Sequence, residues 1–304
     1  MMVSIVVPTL DGVETLPTLL DAIAAQRTAF EVETVAVDSG STDGSVELLR
    51  DRVTRLVPIE RAAFDHGLSR NAGVAAARGE LVVLTVQDAV PASPDWLSSL
   101  VAPLLADDSI AATYARQIAR PEASALTRTY LSRWPAASPD PRPPQRLSPD
   151  AFASLAPAER LRACVFDNVC SCIRRSVWAE RPFRSTPIAE DLEWARDVLL
   201  DGHAIAYVPA ALVVHSHDRS ARHELRRSRR LHARLAELFD LRLVPDAASL
   251  ARAVAVTTVT HARLTEWSRP RAAARALALA VAWPLGQYLG ARDARRAAPA
   301  GGMR

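Results

Sequence analysis

Three side chains able to do chemistry fall close together in the stretch Phe64–Pro91, FDHGLSRNAGVAAARGELVVLTVQDAVP: Arg70, Asn71 and Asp88. Asp88 stands just past an apolar run, residues 80–86, and Arg70 and Asn71 stand at the start of the helix before it. In an open α/β sheet the carboxyl edge of the strands is where ligands bind, and a helix start offers backbone N–H groups and here a cation to an anion such as phosphate. Further on, Asp191 can open a helix with Glu190 beside it, which by itself needs only a capping role. His215 and His217, two residues apart on an extended chain, share one face. They can be ordinary polar residues at a strand's end, contacts to phosphate, or ligands to a cation.

These groups need elements to hold them, and the first ninety residues alternate strand and helix. Val3 to Val7 is β-branched and ends at Pro8–Thr9; Leu16, Leu19, Leu20 and Ile23 follow at helical spacing. Val32 to Val37 is a second strand, closed by a turn from Asp38 to Gly44 rich in capping residues, and a helix is expected over Ser45–Arg52. Arg55 to Ile59 is a candidate third strand. The opening stretch then supplies a helix, Leu68 to Ala77, with Gly79 as its stop, and a strand whose unbroken apolar run suits a parallel sheet covered on both faces. This alternation predicts an α/β fold with a doubly wound, mostly parallel sheet flanked by helices. Another helix is expected over Asp95–Leu105. Arg133 to Asp150 holds six prolines and reads as a mobile surface loop, either a lid or inert. Past Gly202, Ala204–Val208 and Ala211–Val214 read as two strands.

With 304 residues and 49% hydrophobic content the chain can bury a sizeable core. The net charge of +3 is mild and no argument for nucleic acid; every one of the 37 basic residues is Arg. Cys164, Cys170 and Cys172 match no zinc spacing and read as reduced thiols of a cytosolic protein. The N-terminus lacks the basic region and cleavage site of a secretory signal. Seven arginines crowd Arg219–Arg234, either a solvated helix face or an attraction to anionic lipid. The longest clean apolar run of the tail, Ala276 to Leu285, is ten residues, too short to span a bilayer.

Taken in order, VVPTLDGVETLPTLLDAIAAQ, VDSGSTDGS, FDHGLSRNAG, LTVQDAVPASPDWL, NVCSCIRRSVW, AEDLEWARDVLLDGHAIAYVP and VVHSH resemble the family-2 glycosyltransferases of the GT-A fold, closest to their bacterial rhamnosyltransferase-like branch. The resemblance covers about residues 3–218. It implies a catalytic domain over 1–218 and leaves 219–304 as an Arg-rich, Ala/Leu-rich helical extension.

The activity it implies is inverting transfer of a sugar, with rhamnose a candidate, from a nucleotide diphosphate to a hydroxyl of a glycan or lipid-linked acceptor in cell-surface polysaccharide synthesis. By that resemblance Asp191 is the base, with Glu190 beside it. The metal-binding D-x-D element falls on Val86-Gln87-Asp88, which keeps one carboxylate of two. His215, with His217 on the same face, matches the family's late histidine, so Asp88, His215 and His217 are the implied ligands of Mg2+ or Mn2+. Thr9, Asp38, Asp43, Arg70 and Asn71 fall on the nucleotide-sugar side, although Asp43 is also well explained as a turn cap. Asn168, Ser171 and Trp194 fall on the acceptor side, where Trp194 is equally well placed for the core.

The donor implied is dTDP-rhamnose or a UDP-sugar, and no nucleic acid is expected. The protein is expected in the cytoplasm, with peripheral contact at the inner face of the cytoplasmic membrane through the extension. A degenerate, non-catalytic protein that binds sugar nucleotide or tethers partners at the membrane is the alternative, and Val86 is its support. A dinucleotide oxidoreductase is disfavoured because the first βα turn lacks G-x-G-x-x-G.

Overall fold

The computed structural model describes residues 1–265 and 267–297; Glu266 and residues 298–304 of the expected extension lie outside the described residues. In chain order the elements are β1 (Met2–Thr9), α1 (Leu16–Ala24), β2 (Glu31–Asp38), α2 (Ser45–Arg52), β3 (Arg55–Pro58), α3 (His66–Ala76), β4 (Leu81–Thr85), β5 (Val90–Pro91), α4 (Trp96–Ala106) and β6 (Ile110–Ile118). They continue as α5 (Ala125–Leu131), α6 (Pro149–Ser154), α7 (Pro157–Ala163), β7 (Cys170–Arg174), α8 (Arg175–Glu180), α9 (Glu190–Leu200), β8 (Ala204–Val214), α10 (Ala221–Phe239), α11 (Ala247–Leu264) and α12 (Pro270–Ala297). The described residues divide into two compact units, one of Met1–Arg120, Leu131–Ser154 and Arg162–Ser216, the other of Pro121–Tyr130, Leu155–Leu161 and the described residues from His217 on.

The first unit is built on an eight-stranded sheet in the order β3-β2-β1-β4-β7-β6-β8-β5. β3, β2, β1 and β4 run parallel, as the βα alternation predicts. β1 and β4 are buried along nearly their whole length, and Leu16, Leu19, Leu20 and Ile23 of α1 pack against them. Each such side chain contributes about 1.5–3 kcal/mol on burial. α3 approaches this sheet very closely, since a Cβ at Gly73 would lie 2.3 Å from Val6 Cγ1.

The second half of the sheet is mixed. β7 inserts antiparallel between β4 and β6, β6 and β8 are parallel, and β5 pairs antiparallel with β8. An antiparallel insert brings its first residues to the carboxyl ends of its parallel neighbours, so the turn before β7 arrives beside the end of β4. Thr85 donates there to the Val169 carbonyl at 3.1 Å. At the far edge, Val90 pairs with Val214, which draws the residues just before β5 to those just after β8.

Several sequence expectations are corrected. α3 begins at His66, two residues early, because Asp65 caps it by accepting from the Gly67 and Leu68 N–H groups at 2.8 and 2.9 Å. Gly79 is not the helix stop. It is small because β1 lies against it: a Cβ there would sit 2.7 Å from the Ser4 nitrogen and 2.9 Å from the Met2 carbonyl oxygen. The two strands expected over 204–214 are one strand, with a register shift between Ala115 and Arg116 of its partner. The proline-rich segment has no regular strand, yet it is pinned to β8. Gln145 bridges Ile205, the Tyr207 hydroxyl donates to the Ser138 carbonyl at 2.5 Å, and the Arg142 guanidinium lies 4.2 Å from the Tyr207 ring centroid.

The second unit is helical. Ser220 caps α10 and Asp246 caps α11. α12 meets α10 across Gly286 and Gly290, where an added Cβ would fall 2.6 Å from Ser228 Cβ and 2.5 Å from the Arg229 carbonyl oxygen. Of the arginines on α10, Arg229 pairs with Asp293 at 2.6 Å, while Arg222, Arg226, Arg227 and Arg230 face outward. Among the described residues no helix is long and apolar enough to cross a membrane.

Candidate active site

α9 opens directly on Glu190 and Asp191. Its N-cap, Ala189, takes a left-handed conformation with φ of 63°, which costs a non-glycine residue about 1–2 kcal/mol and turns the chain sharply into the helix. Glu190 is buried and paired to Arg70 of α3 at 2.8 Å, both side chains being only 6% exposed. Arg70 also donates to the His66 carbonyl at 2.9 Å and makes a long contact of 3.5 Å to the Asn168 carbonyl.

Asn168 lies under the pair of carboxylates. Its side-chain amide reaches Glu190 at 3.5 Å, its backbone N–H reaches Asp191 at 3.4 Å, and its side-chain oxygen accepts from Ser171 at 2.8 Å. Asp191 further accepts from the Leu192 N–H at 2.8 Å and keeps part of its surface open.

A third carboxylate joins this cluster. Asp167 accepts from the Gln117 amide at 2.6 Å, the Trp134 indole at 3.0 Å and the Val169 N–H at 3.0 Å. Burial, with Glu190 nearby, holds it above the ordinary carboxylate range despite those bonds. Burial raises Asp191 further, well above its ordinary value, and the negative charges of Glu190 and Asp167 add to the effect while Arg70 opposes it. A carboxylate raised in this way holds a proton more readily, which is the property of a general base that works near neutral pH.

A second cluster forms at the far edge. Ligating atoms of Asp88, His215 and His217 all lie within 4.8 Å of one another. His215 Nε2 is 3.6 Å from Asp88 Oδ1, and the Arg120 guanidinium donates to Asp88 Oδ2 at 2.8 Å and to the Asp88 carbonyl at 2.9 Å. One carboxylate and two imidazoles suit a hard-to-borderline divalent cation, with imidazole favouring Mn2+ over Mg2+. The residues present therefore fit such an ion.

The remainder of the D-x-D position serves the fold. Val86 packs against the core, and the Gln87 amide accepts from the Leu10 N–H at 2.9 Å and donates to the Leu10 carbonyl at 3.1 Å.

Thr9 and Asp38 are register partners at the ends of β1 and β2, and both are buried. Asp38 accepts from the N–H groups of Gly40 and Ser41, each at 3.0 Å, and from the Ser41 hydroxyl at 2.5 Å. Asp43 binds the Ser45 hydroxyl and N–H and the Val13 N–H, and those bonds hold its carboxyl below the usual range. The two loops are thereby stitched together, with Asp43 acting as the turn cap the sequence allows.

Arg70 and Asn71, expected at a helix start facing phosphate, lie in the second turn of α3 and are committed to protein partners. Asn71 donates to the Phe183 carbonyl at 2.7 Å and accepts from the Trp178 indole and the Phe183 N–H. Trp194 is 3% exposed, its ring 5.4 Å from both Phe166 and Phe183, and its N–H donates to the Arg181 carbonyl. The structure thus gathers Glu190, Asp191, Asn168, Ser171 and Arg70 in one place, Asp88, His215 and His217 in a second, and Thr9, Asp38 and Asp43 in a third. Arg120, Asp167 and Gln117 escape the sequence reading. Gln117 lies at the end of β6 and Arg120 two residues past it, and the strand's alanines and polar residues give little strand signal.

The sequence profile of glycosyl transferase family 2 matches residues 4–178, more than half of the chain. The chain belongs to that family and is a glycosyltransferase, which disfavours the non-catalytic alternative. The O-antigen chain rhamnosyltransferase RfbN of Salmonella typhimurium is 30% identical over 233 residues, covering 75% of this chain and 70% of that protein. The O-antigen chain rhamnosyltransferase WbaN of Salmonella anatum is 27% identical over 206 residues, 64% of this chain and 59% of that one. These place the chain in the rhamnosyltransferase-like branch.

Among solved structures, the mannosyltransferase PcManGT of Pyrobaculum calidifontis, in complex with GDP-Man and Mn2+, superposes with a TM-score of 0.55 at 21% identity, over 99% of this chain and 76% of that one. Glucosyl-3-phosphoglycerate synthase of Mycobacterium tuberculosis, with Mn2+, UDP and glucosyl-3-phosphoglycerate, gives 0.56 at 23% identity, over 81% of each chain. At these identities the likeness shows the fold, which is GT-A.

Proposed function

We propose that the protein is an inverting glycosyltransferase of cell-surface polysaccharide synthesis in which Asp191 is the general base. The observation that carries this reading is the unequal treatment of two adjacent carboxylates. Glu190 is buried against Arg70, whereas Asp191 is partly open and raised in proton affinity by burial and by its acidic neighbours. Asp191 takes the proton of the acceptor hydroxyl as its oxygen attacks the anomeric carbon in line; the bond from that carbon to the diphosphate breaks, and the nucleotide diphosphate leaves with the electron pair. A single displacement inverts the configuration and needs no covalent sugar–enzyme intermediate.

Thr9, Asp38 and Asp43 fall on the nucleotide side, with Asp38 positioned by its own loop to accept from a pyrimidine N–H. Arg70 and Asn71 act from behind, Arg70 by fixing Glu190 and Asn71 by tying α3 to Phe183. Asn168 and Ser171 hold the floor beside Asp191 on the acceptor side, and Trp194 supports that floor from the core. A divalent cation, Mg2+ or Mn2+, held by Asp88, His215 and His217 would supply positive charge for the departing diphosphate. The names of the curated relatives support a deoxyhexose donor such as dTDP-rhamnose, with UDP-sugars as the competing class, and a glycan or lipid-linked acceptor. In this reading residues 1–218 carry catalysis and 219–304 bring the outward arginines of α10 to the anionic inner face of the cytoplasmic membrane.

The test is Asp191→Asn. Turnover of a sugar nucleotide with acceptor should fall by about 10²–10⁴, while calorimetric binding of dTDP, UDP or GDP, each with and without Mn2+, stays as in the wild type. Activity within tenfold of the wild type would place the base elsewhere.

A further inference from the structure

We infer that Arg120 is a built-in counter-cation of the Asp88 site, and that it makes capture of a divalent cation depend on the nucleoside diphosphate. The inference deepens the proposed function and rests on its metal site. Asp88 is the one carboxylate left in the D-x-D position, since Val86 turns into the core. Its charge is already matched, because the Arg120 guanidinium donates to Oδ2 at 2.8 Å and to the Asp88 carbonyl at 2.9 Å.

The arginine is held firmly. It stands two residues past the end of β6, its backbone N–H donates to the buried Ser216 hydroxyl at 3.0 Å, and Ile118 and Val214 pair just before it. Gripping both the carbonyl and one carboxylate oxygen fixes the Asp88 side chain with Oδ1 toward His215 Nε2, at 3.6 Å.

Two charged carboxylates attract a dication strongly on their own. A carboxylate neutralised by a guanidinium does not, and the guanidinium itself repels the ion. A dication entering with a diphosphate meets a different balance, for the phosphate oxygens supply both the missing anionic ligands and a partner for Arg120. The pair is therefore suited to admit the cation with the nucleotide and to release both together.

The experiment measures Mn2+ binding, from the free-ion magnetic resonance signal and by calorimetry, to full-length wild type, Arg120→Gln and Arg120→Lys. Each is measured alone and with UDP, dTDP or GDP, and circular dichroism serves as the check of fold. Expected are weak binding of Mn2+ alone to the wild type and at least about tenfold tighter binding with a matching nucleotide. Arg120→Gln should bind Mn2+ alone about tenfold more tightly than the wild type and lose most of the nucleotide dependence. Arg120→Lys, which keeps the charge without the fork, should stay near the wild type and serves as the reference should the glutamine variant not fold: a lysine variant gaining as much as tenfold overturns the inference. Wild type that binds Mn2+ alone as tightly as with nucleotide overturns it too, as does Arg120→Gln without any gain; in both cases the metal site stands. Absence of Mn2+ binding to every variant, with and without nucleotide, overturns the inference and the metal reading together.

Discussion

Replacing Arg70 by Met tests whether the catalytic element is held by a buried charge. The Arg70–Glu190 pair is 2.8 Å long with both side chains 6% exposed, so removing the cation leaves a carboxylate with almost no access to water. Breaking a buried pair from one side costs about 3–5 kcal/mol. The His66 carbonyl loses its guanidinium donor as well. In a domain of this size each kcal/mol lowers Tm by about 2–4 °C, so a fall of about 6–20 °C is expected. Urea unfolding at pH 7 gives the free energy. The double variant Arg70→Met with Glu190→Met should recover much of the loss, because no orphan charge remains.

The same substitution has a chemical signature. Arg70 is the cation that opposes the rise of Asp191, so its removal lets Asp191 hold its proton to higher pH. The acid limb of kcat/KM should move upward, and activity at pH 7 should fall more than activity at pH 9. A loss under about 1 kcal/mol for the single variant would show that water screens the pair as it does at a surface. A double variant as unstable as the sum of its singles, or an unmoved acid limb, would refute the reasoning as well.

Asp191→Asn should stabilise the protein while it disables it. The folded state holds the Asp191 proton more tightly than the unfolded chain, whose value is near 3.8, so wild-type stability declines as pH rises from there through the folded pKa. Thermal melts should show the variant above the wild type at pH 8, with the gap closing as the pH falls toward 4; equal Tm at pH 8 would contradict this. Gln87→Ala strips both bonds from the Leu10 backbone and should cost about 1–3 kcal/mol in urea unfolding. A loss under about 0.5 kcal/mol would mean that water replaces the amide.

What could be read from the sequence follows from the range of the forces involved. The strands and helices of the first ninety residues are written in local apolar spacing, and so are the carboxylates and histidines at element ends, because termini are marked by caps, glycines and breaks in pattern. The helix before β4 is misjudged by two residues because Asp65, rather than a residue nearer the apolar run, satisfies its first N–H groups, and that shift moves Arg70 out of the first turn and into a buried pair. β6 is weakly legible, since Ile110–Ile118 mixes alanine with Thr113, Arg116 and Gln117, and only pairing with β7 and β8 makes it a strand.

With β6 unread, its two contributions to the site were unreadable too. Gln117 reaches Asp167 across 50 positions and Arg120 reaches Asp88 across 32. No periodicity links residues so far apart; the sheet order does, by setting the end of β6 beside the end of β8 and the end of β8 beside the start of β5. The motif residues are therefore local in signal while their charge partners are topological. That is why the sequence names Glu190 and Asp88 and stays silent on which arginine neutralises each, even though those arginines decide how the two carboxylates behave.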